Sequence, residues 1–458
     1  MNSDNAVSVL VTYDYNWPQD LYFWGQDRGG TFVALFAQIF FRMFGFSPVT
    51  SASIAYYTLL IAGFAGFSRL LKTNFSKLLF AIVWFLPPLK FIDLDSSPII
   101  TQYSLIGFSI FLFSKTGHEK SHNFSLRNHL LLFSISILLI ISVWVSDTAI
   151  VTIIILMSMF LLFDRKKIRI RKEIIFYLLF GSLGGILFIH YARAHADHKT
   201  IEYLSLNNAR EIGSSLTNLK DSLIDAMHFR HGEFFMSIYS MLVVLFFLVI
   251  FFLLTKKKFA IAGDSKKWLL FFLLDGLAVL GICVVSKWVF VNGNASRYFF
   301  GCYISFSLFF LVLVDQLSPD RKLFTTMQWF IFVIAIAGAV SSPYFLKYHW
   351  PKTLRSQIDT FSEFKRLGKI GIIAEYWHAY IVSAADPATI KATPHDHETV
   401  RNYALVDSVF AQQNIYVIRY DWMNSFPDTL KQFGHVLLKD GEEFKIAGCD
   451  VNKYRKLN

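Results

Sequence analysis

The sequence predicts an all-α polytopic membrane protein of about ten transmembrane helices, with a small extracytoplasmic C-terminal α/β domain. Three observations lead there. Of the 458 residues, 54% are hydrophobic and only 17% charged, with a mean hydropathy of +0.44; a soluble chain carries roughly 25% charged residues. The apolar residues fall into separate segments of spanning length, and every second connection between those segments is basic. The surplus of 44 basic over 33 acidic residues is therefore read as cytoplasmic loop anchoring and not as a nucleic-acid footprint. The 49 Phe, 20 Tyr and 10 Trp beside only 11 Pro exclude a disordered polymer. Cys283, Cys302 and Cys449 have no spacing that fits a disulfide framework or a metal site. Met1 to Asp14 lacks the basic region and apolar stretch of a cleavable signal.

Residues 1–50 read as an extracytoplasmic acidic loop followed by an interfacial helix. Thr31 to Phe46 is too short to span and sets Phe32, Phe36, Ile39, Phe40 and Met43 opposite Gln38 and Arg42. Residues 51–347 form the transmembrane domain. Its predicted spans lie near 51–70, 76–93, 98–115, 128–145, 148–163, 174–192, 236–255, 268–290, 298–316 and 329–347. Basic clusters mark the cytoplasmic connections: Arg69, Lys72 and Lys77; Lys115, Lys120 and Arg127; Arg165 to Lys172; Lys256 to Lys267; Arg321 and Lys322. Both termini and a long loop over 193–235 then fall outside. Residues 348–458 change character, with a helix-like stretch at Thr353 to Leu367, strand-like runs at Ile370 to Ala374 and Ile415 to Tyr420, and a turn at Asp440-Gly441.

The chemistry concentrates in the N-terminal loop. Asp14, Asp20 and Asp27 stand among Tyr13, Tyr15, Trp17, Tyr22, Phe23 and Trp24 just before the interfacial helix. Aromatics hold a segment at headgroup depth, and a partly desolvated acid there suits general-base work. The plainer alternative is an aromatic belt in which Asp27 pairs with Arg28 or caps the helix. Gly25, Gly29 and Gly30 leave room for a substrate beside Asp27, and Trp24 offers a stacking face for a sugar ring. Asp14, near the terminus, is expected to fray.

Several histidine groups invite a metal reading: His190, His195, Asp197 and His198; His228, His231 and Glu233; His395, Asp396, His397 and Glu398. None has an HExxH pattern or cysteine partner. No metal site is assigned, a divalent cation being the alternative. Asp275 and Lys90 lie within about two turns of predicted span ends, close enough to reach the interface.

An acidic first loop, an amphipathic helix ending in Phe44-Gly45-Phe46-Ser47-Pro48, many spans and an external C-terminal domain together resemble the GT-C superfamily of polytopic glycosyltransferases. The nearest likeness is to uncharacterised bacterial members related to the protein-mannosyltransferase and aminoarabinose-transferase families. Ala295-Ser296-Arg297-Tyr298-Phe299 is similar to the family's Arg-Tyr entry into a late span, and Glu375-Tyr376-Trp377-His378-Ala379-Tyr380 resembles a Tyr-Trp element of the external domain. The family starts with a span ahead of the acidic loop, of which Ala6 to Val11 would be only the last turns. The first loop has no Asp-Asp or Asp-Glu pair and no His-Pro-Pro element, so no subfamily is assigned.

The resemblance implies transfer of a sugar from a polyprenyl-phosphate donor to a lipid- or glycan-linked acceptor outside the bacterial inner membrane; no cofactor is assigned. It implies Asp27 as the catalytic carboxylate, with Asp20 and then Asp14 behind it. Arg297, Arg28 and Arg193 are the outer candidates for the donor phosphate, and Tyr298, Trp24, Tyr376 and Trp377 for substrate contact. Membrane lipids are the other expected partners. A transporter or lipid flippase, or a non-catalytic subunit of a glycan-assembly system, is the alternative; no inverted repeat supports the transporter.

Overall fold

The computed structural model describes residues 3–94, 98–116, 125–163, 172–196, 205–256, 259, 261, 263–317, 321–349 and 356–457. In chain order the helices are α1 (Ser3–Tyr13), α2 (Phe32–Gln38), α3 (Pro48–Phe67), α4 (Asn74–Phe85), α5 (Pro98–Phe113), α6 (Leu126–Val145), α7 (Ala149–Phe163), α8 (Lys172–Ala194), α9 (Ala209–Ala226), α10 (Phe234–Thr255), α11 (Gly263–Val285), α12 (Lys287–Val291), α13 (Phe300–Val314), α14 (Arg321–His349), α15 (Gln357–Phe361), α16 (Tyr376–Ala385) and α17 (Tyr403–Phe410). The strands are β1 (Ile370–Ala374), β2 (Ile390–Pro394), β3 (Ile415–Arg419), β4 (Thr429–Gln432), β5 (His435–Lys439), β6 (Phe444–Ile446) and β7 (Cys449–Lys456). They form two compact units: one of Met1–Tyr56, Tyr191–Lys199 and Thr353–Asn458, the other of Tyr57–His190 and Thr200–Lys352.

The second unit is a bundle of apolar helices. Among the described residues, 6 segments are long and apolar enough to cross a membrane: Pro48–Leu70, Leu126–Val145, Phe234–Thr255, Ser265–Val285, Ser296–Leu317 and Arg321–Leu346. Shorter apolar helices lie at Asn74–Phe85, Pro98–Phe113 and Ala149–Phe163, and each of the ten expected spans meets a helix. Their limits differ from the expected ones. The helix expected over 76–93 stops at Phe85, because Pro87 and Pro88 cannot donate to the ladder, and a short 3-10 turn follows at Leu89–Leu94. The helix expected over 268–290 runs from Gly263 to Val285, where the Ser286 hydroxyl accepts from the Val289 N–H and starts α12. That shift puts Asp275 mid-helix rather than near a span end. Its Oδ2 accepts the Tyr103 hydroxyl at 2.7 Å and the Ser305 hydroxyl, tying α5, α11 and α13 together.

Close packing of α3 on α5 depends on glycine. A Cβ on Gly66 would lie 1.7 Å from the Gly107 carbonyl oxygen, and one on Gly63 would lie 2.5 Å from the Ser104 Cα, the small-residue packing typical of membrane helices. Beyond the C-terminal end of α3, buried Asp315 accepts the Ser76 hydroxyl at 2.7 Å and the Lys72 N–H at 2.8 Å.

The first unit is a layered α/β fold. Strand order is β2-β1-β3-β7-β5-β4, with β6 on β7. The pairings β1–β2 and β1–β3 are parallel and the rest antiparallel. Alternation along β1 sets its two faces: Ile370, Ile372 and Ala374 join the core under α16, while Ile373 joins the core with Val406 and Val409 of α17. The strand-like runs and the helical start of the C-terminal region appear as expected, with 353–355 outside the described residues.

The N-terminal segment departs from expectation. Residues 1–50 cluster with the C-terminal region rather than forming a unit of their own, because α1 is part of the same core. Ala6, Val7, Val9, Leu10 and Val11 are buried with Ala379, Val382 and Ile372. Ala6 to Val11 thus serve as a packing face, and Asp14 follows a docked helix rather than a frayed end. The segment expected as interfacial is α-helical over Phe32–Gln38 and π-helical over Ile39–Met43. Ala34 and Ala37 are buried, whereas Met43 and Phe44 are 75% and 61% exposed.

Gly371 of β1 has no room for a side chain: a Cβ there would lie 2.5 Å from the Val409 carbonyl of α17. Gly371→Ala is expected to destabilise the α/β unit by about 1–3 kcal/mol, the usual cost of overpacking. Faster hydrogen exchange at the β1 amides of the full-length protein would show it; unchanged exchange would refute it.

Candidate functional site

The N-terminal loop is built around one buried carboxylate. Asp20, 5% exposed, accepts the Asn16 N–H at 2.8 Å on Oδ2 and the Trp24 indole N–H at 2.8 Å on Oδ1. The Thr31 hydroxyl donates to its backbone carbonyl. Tyr22 bridges to Gly30, and the Phe23 N–H donates to the Gly29 carbonyl at 3.0 Å. Gly25 and Gly29, both at φ +67°, make the reversals that close the loop. Burial pushes the Tyr15 hydroxyl up to about 12.

This geometry sorts the three acids. Asp20 organises the loop, Asp27 is half-buried at its tip, and Asp14 is exposed. Trp24, expected as a stacking face, is 6% exposed and belongs to the core, because its indole N–H is taken inward by Asp20. Arg28 Nε donates to Gln26 Oε1 at 3.1 Å. Half-buried Arg193 lies in the same unit, on a segment whose Tyr191 ring stacks 6.5 Å from Trp17.

Sequence reasoning passed over the residue that ties this loop to the sheet. The Arg401 guanidinium lies over Phe23 at 5.7 Å and over Tyr376 at 5.6 Å. Its Nε donates to the Tyr376 hydroxyl at 3.1 Å, and that hydroxyl donates to Asp4 Oδ1 at 3.0 Å. A Cβ on Gly25 would lie 3.4 Å from the Arg401 carbonyl. Burial, then Asp4, push the Tyr376 hydroxyl up to about 12. Tyr376 is thus held by ligands of its own, whereas Trp377 is 53% exposed.

Beside Tyr376, Glu375 follows β1, His395 to Glu398 follow β2 and Tyr420 to Trp422 follow β3. They meet at the carboxyl ends of the parallel strands, where the crossovers diverge. Glu375 Oε1 approaches His378 Nδ1 at 2.8 Å, out of line for a hydrogen bond. The Tyr376 N–H donates to Glu398, and Trp422 stacks on His395 at 4.4 Å. Burial, then the Glu398 and Asp421 carboxylates, push Glu375 up to about 7; burial holds His378 and His395 below the usual histidine value. His395 packs here, 6% exposed, while Asp396 and His397 stay exposed. Among the described residues, no group of three or more His, Cys, Asp or Glu could hold a metal ion; Asp197 and His198 lie outside them.

In the bundle, Arg297 sits in a 3-10 turn, Ser296–Phe299, that leads into α13. Its guanidinium lies 5.1 Å from the Tyr298 ring centre, and Nη2 donates to the Tyr298 hydroxyl at 3.3 Å. That hydroxyl also accepts the Trp288 indole N–H at 3.1 Å. Arg297 Nε is buried without a hydrogen-bond partner, and no carboxylate pairs with Arg297 among the described residues. The Ser296 hydroxyl donates to the Lys90 carbonyl at 2.6 Å, and Lys90 Nζ meets Glu233 at 3.0 Å.

No protein-family model matches the chain, and no curated protein does. Solved structures similar to it include the oligosaccharyltransferase of Archaeoglobus fulgidus, crystallised with Zn and sulfate (11% identity, 91% of this chain and 63% of that one, TM-score 0.39). A second structure from that organism, the oligosaccharyltransferase AglB with an inhibitory peptide and a dolichol-phosphate, gives 12%, 91%, 65% and 0.38. ArnT from Cupriavidus metallidurans, in the apo state, gives 8%, 98%, 92% and 0.45. The chain spans about two thirds of the length of those oligosaccharyltransferases.

The Glu375 environment predicts a pH dependence. A carboxyl whose folded value is raised to about 7 from 4.5 binds its proton more tightly when folded, so stability is full at low pH and falls as pH rises from about 4.5 to 7. Glu375→Gln is expected to flatten that fall, read from hydrogen exchange of β1 and α16 in the full-length protein between pH 5 and 8. An unchanged slope would refute the assignment.

Proposed function

We propose that the protein is a membrane glycosyltransferase that moves a sugar from a polyprenyl-phosphate donor to a lipid- or glycan-linked acceptor on the outer side of the bacterial inner membrane. The observation that carries this reading is Arg297: a guanidinium at the predicted outer end of α13, with a buried Nε unbonded and no carboxylate paired with it among the described residues. Such a group suits a phosphate oxygen. Asp27 is the acid assigned to the acceptor, since both oxygens of Asp20 are engaged in building the loop. In the reaction the acceptor oxygen bonds to the anomeric carbon, the bond from that carbon to the phosphate oxygen breaks, and polyprenyl phosphate leaves with the electron pair. The acceptor's hydroxyl proton passes to the Asp27 carboxylate. Arg297 balances the charge gathering on the departing phosphate. Arg28, Arg193, Tyr376 and Trp377 of the first unit, and Tyr298 of the second, are the other residues proposed for substrate contact.

Sugar transfer from labelled polyprenyl-phosphate sugars, assayed in membranes, tests the assignment. Asp27→Asn is expected to lower transfer by roughly 10²–10⁴-fold, the usual share of acid–base catalysis, and Arg297→Gln to raise the KM for the donor. Near-normal transfer by Asp27→Asn, with loss in Asp14→Asn at equal abundance, would overturn the choice of acid.

The proposed sidedness has its own check. Cysteines placed at the exposed positions 19 and 420 should react with an impermeant maleimide from outside intact cells. Labelling only after the cytoplasmic face is opened would reverse the topology.

A further inference from the structure

The turn before Arg297 is closed rather than flexible. The Asn294 N–H donates to the Val289 carbonyl at 2.9 Å, the Gly293 N–H to the Phe290 carbonyl at 3.0 Å, and Asn292 Nδ2 to the Trp288 carbonyl at 2.8 Å. Gly293 and Asn294 both take left-handed backbone, at φ +68° and +52°. Asn294 is 5% exposed, yet neither its Oδ1 nor its Nδ2 has a hydrogen-bond partner. A side-chain amide withdrawn from water with donor and acceptor both idle, on a left-handed backbone, marks a place held for a ligand.

The chemistry of the two idle groups differs. Arg297 Nε only donates, which matches an oxyanion. The Asn294 amide both donates and accepts. A phosphate oxygen accepts only, so it would leave Oδ1 stranded, whereas a sugar hydroxyl accepts from Nδ2 and donates to Oδ1. We infer that Asn294 reads the sugar of a glycosyl phosphate whose phosphate Arg297 holds, the two residues standing three apart at the entry to α13. This rests on the glycosyltransferase reading and adds to it a residue for sugar recognition.

Full-length protein in lipid nanodiscs would be titrated with a short-chain polyprenyl phosphate and with a panel of its hexosyl and pentosyl esters. Wild type is expected to bind at least one ester roughly tenfold to a hundredfold more tightly than the bare phosphate, the worth of one or two hydrogen bonds. Asn294→Gly removes the amide and suits the left-handed backbone; it is expected to erase that preference while binding the bare phosphate within about twofold of wild type. Asn294→Asp, which keeps the size and removes the donor, is expected to reduce the preference. Arg297→Gln should weaken bare carrier and esters alike. If both Asn294 variants keep the wild-type preference, the amide is filled by water and the inference fails. If Asn294→Gly weakens bare carrier and ester equally, Asn294 is a structural residue and the inference likewise fails. If wild type binds neither carrier nor any ester, the glycosyltransferase reading itself falls.

Discussion

The packing of α1 on α16 is the constraint on which the candidate loop depends. A three-stranded parallel sheet buries its central strand only when helices cover both faces. Here α17 covers one face, α16 and α1 the other. Residues 3–13 therefore belong to the same core as β1, although more than 350 residues separate them in the chain. With α1 fixed, the chain leaving Tyr13 has a defined origin, and the loop closes on Asp20, Thr31 and the glycine reversals. Arg401 then clasps Phe23 from the sheet side and fixes Tyr376 and Asp4 in the same set of contacts. The acids of the loop are held by a folded domain, not by aromatic anchoring alone.

Hydropathy made the bundle legible and left this domain only partly so. Spans announce themselves because lipid forces twenty or so apolar residues together. Their ends were less visible, since a proline pair and one serine cap, not a change in polarity, stop α4 and start α12. The strands β1 and β3 were readable as short β-branched runs, and β1 was found at its full extent. What could not be read was α1. Five buried apolar residues among eleven look alike whether they end a span or face a sheet, and only long-range packing distinguishes the two. Arg401 was invisible for the same reason: it belongs to no motif, and its role arises from the approach of a loop nearly four hundred residues upstream.

The polar groups of the bundle sort by whether they are satisfied. Asp275 has its Oδ2 occupied by the Tyr103 and Ser305 hydroxyls, and Asp315 takes Ser76 and the Lys72 amide. Asp275 Oδ2 and both oxygens of Asp315 are thus spent on joining helices, while Asp275 Oδ1 stays buried without a hydrogen-bond partner. Asp20 falls in the same class in the other unit, as does Trp24. Composition cannot make this distinction. An Asp among aromatics reads as a catalytic candidate whether its oxygens are idle or spent.

Among the buried polar atoms of the described residues that have no hydrogen-bond partner, those of Asn294 and Arg297 are neighbours in the chain. Arg297 Nε and the Asn294 amide stand within one turn of chain. A fold under selection for stability alone would replace a left-handed Asn by Gly and turn an arginine tip toward a carboxylate, since each change removes a buried, unpaired polar atom. Neither change has been made here, and the neighbouring Tyr298 is instead braced by Trp288 so that the guanidinium lies along its ring. The bracing holds the arginine while leaving its inner N–H unused. That combination, a fixed cation with an idle donor beside an idle amide, follows naturally from a site shaped by what enters it and is hard to derive from packing alone.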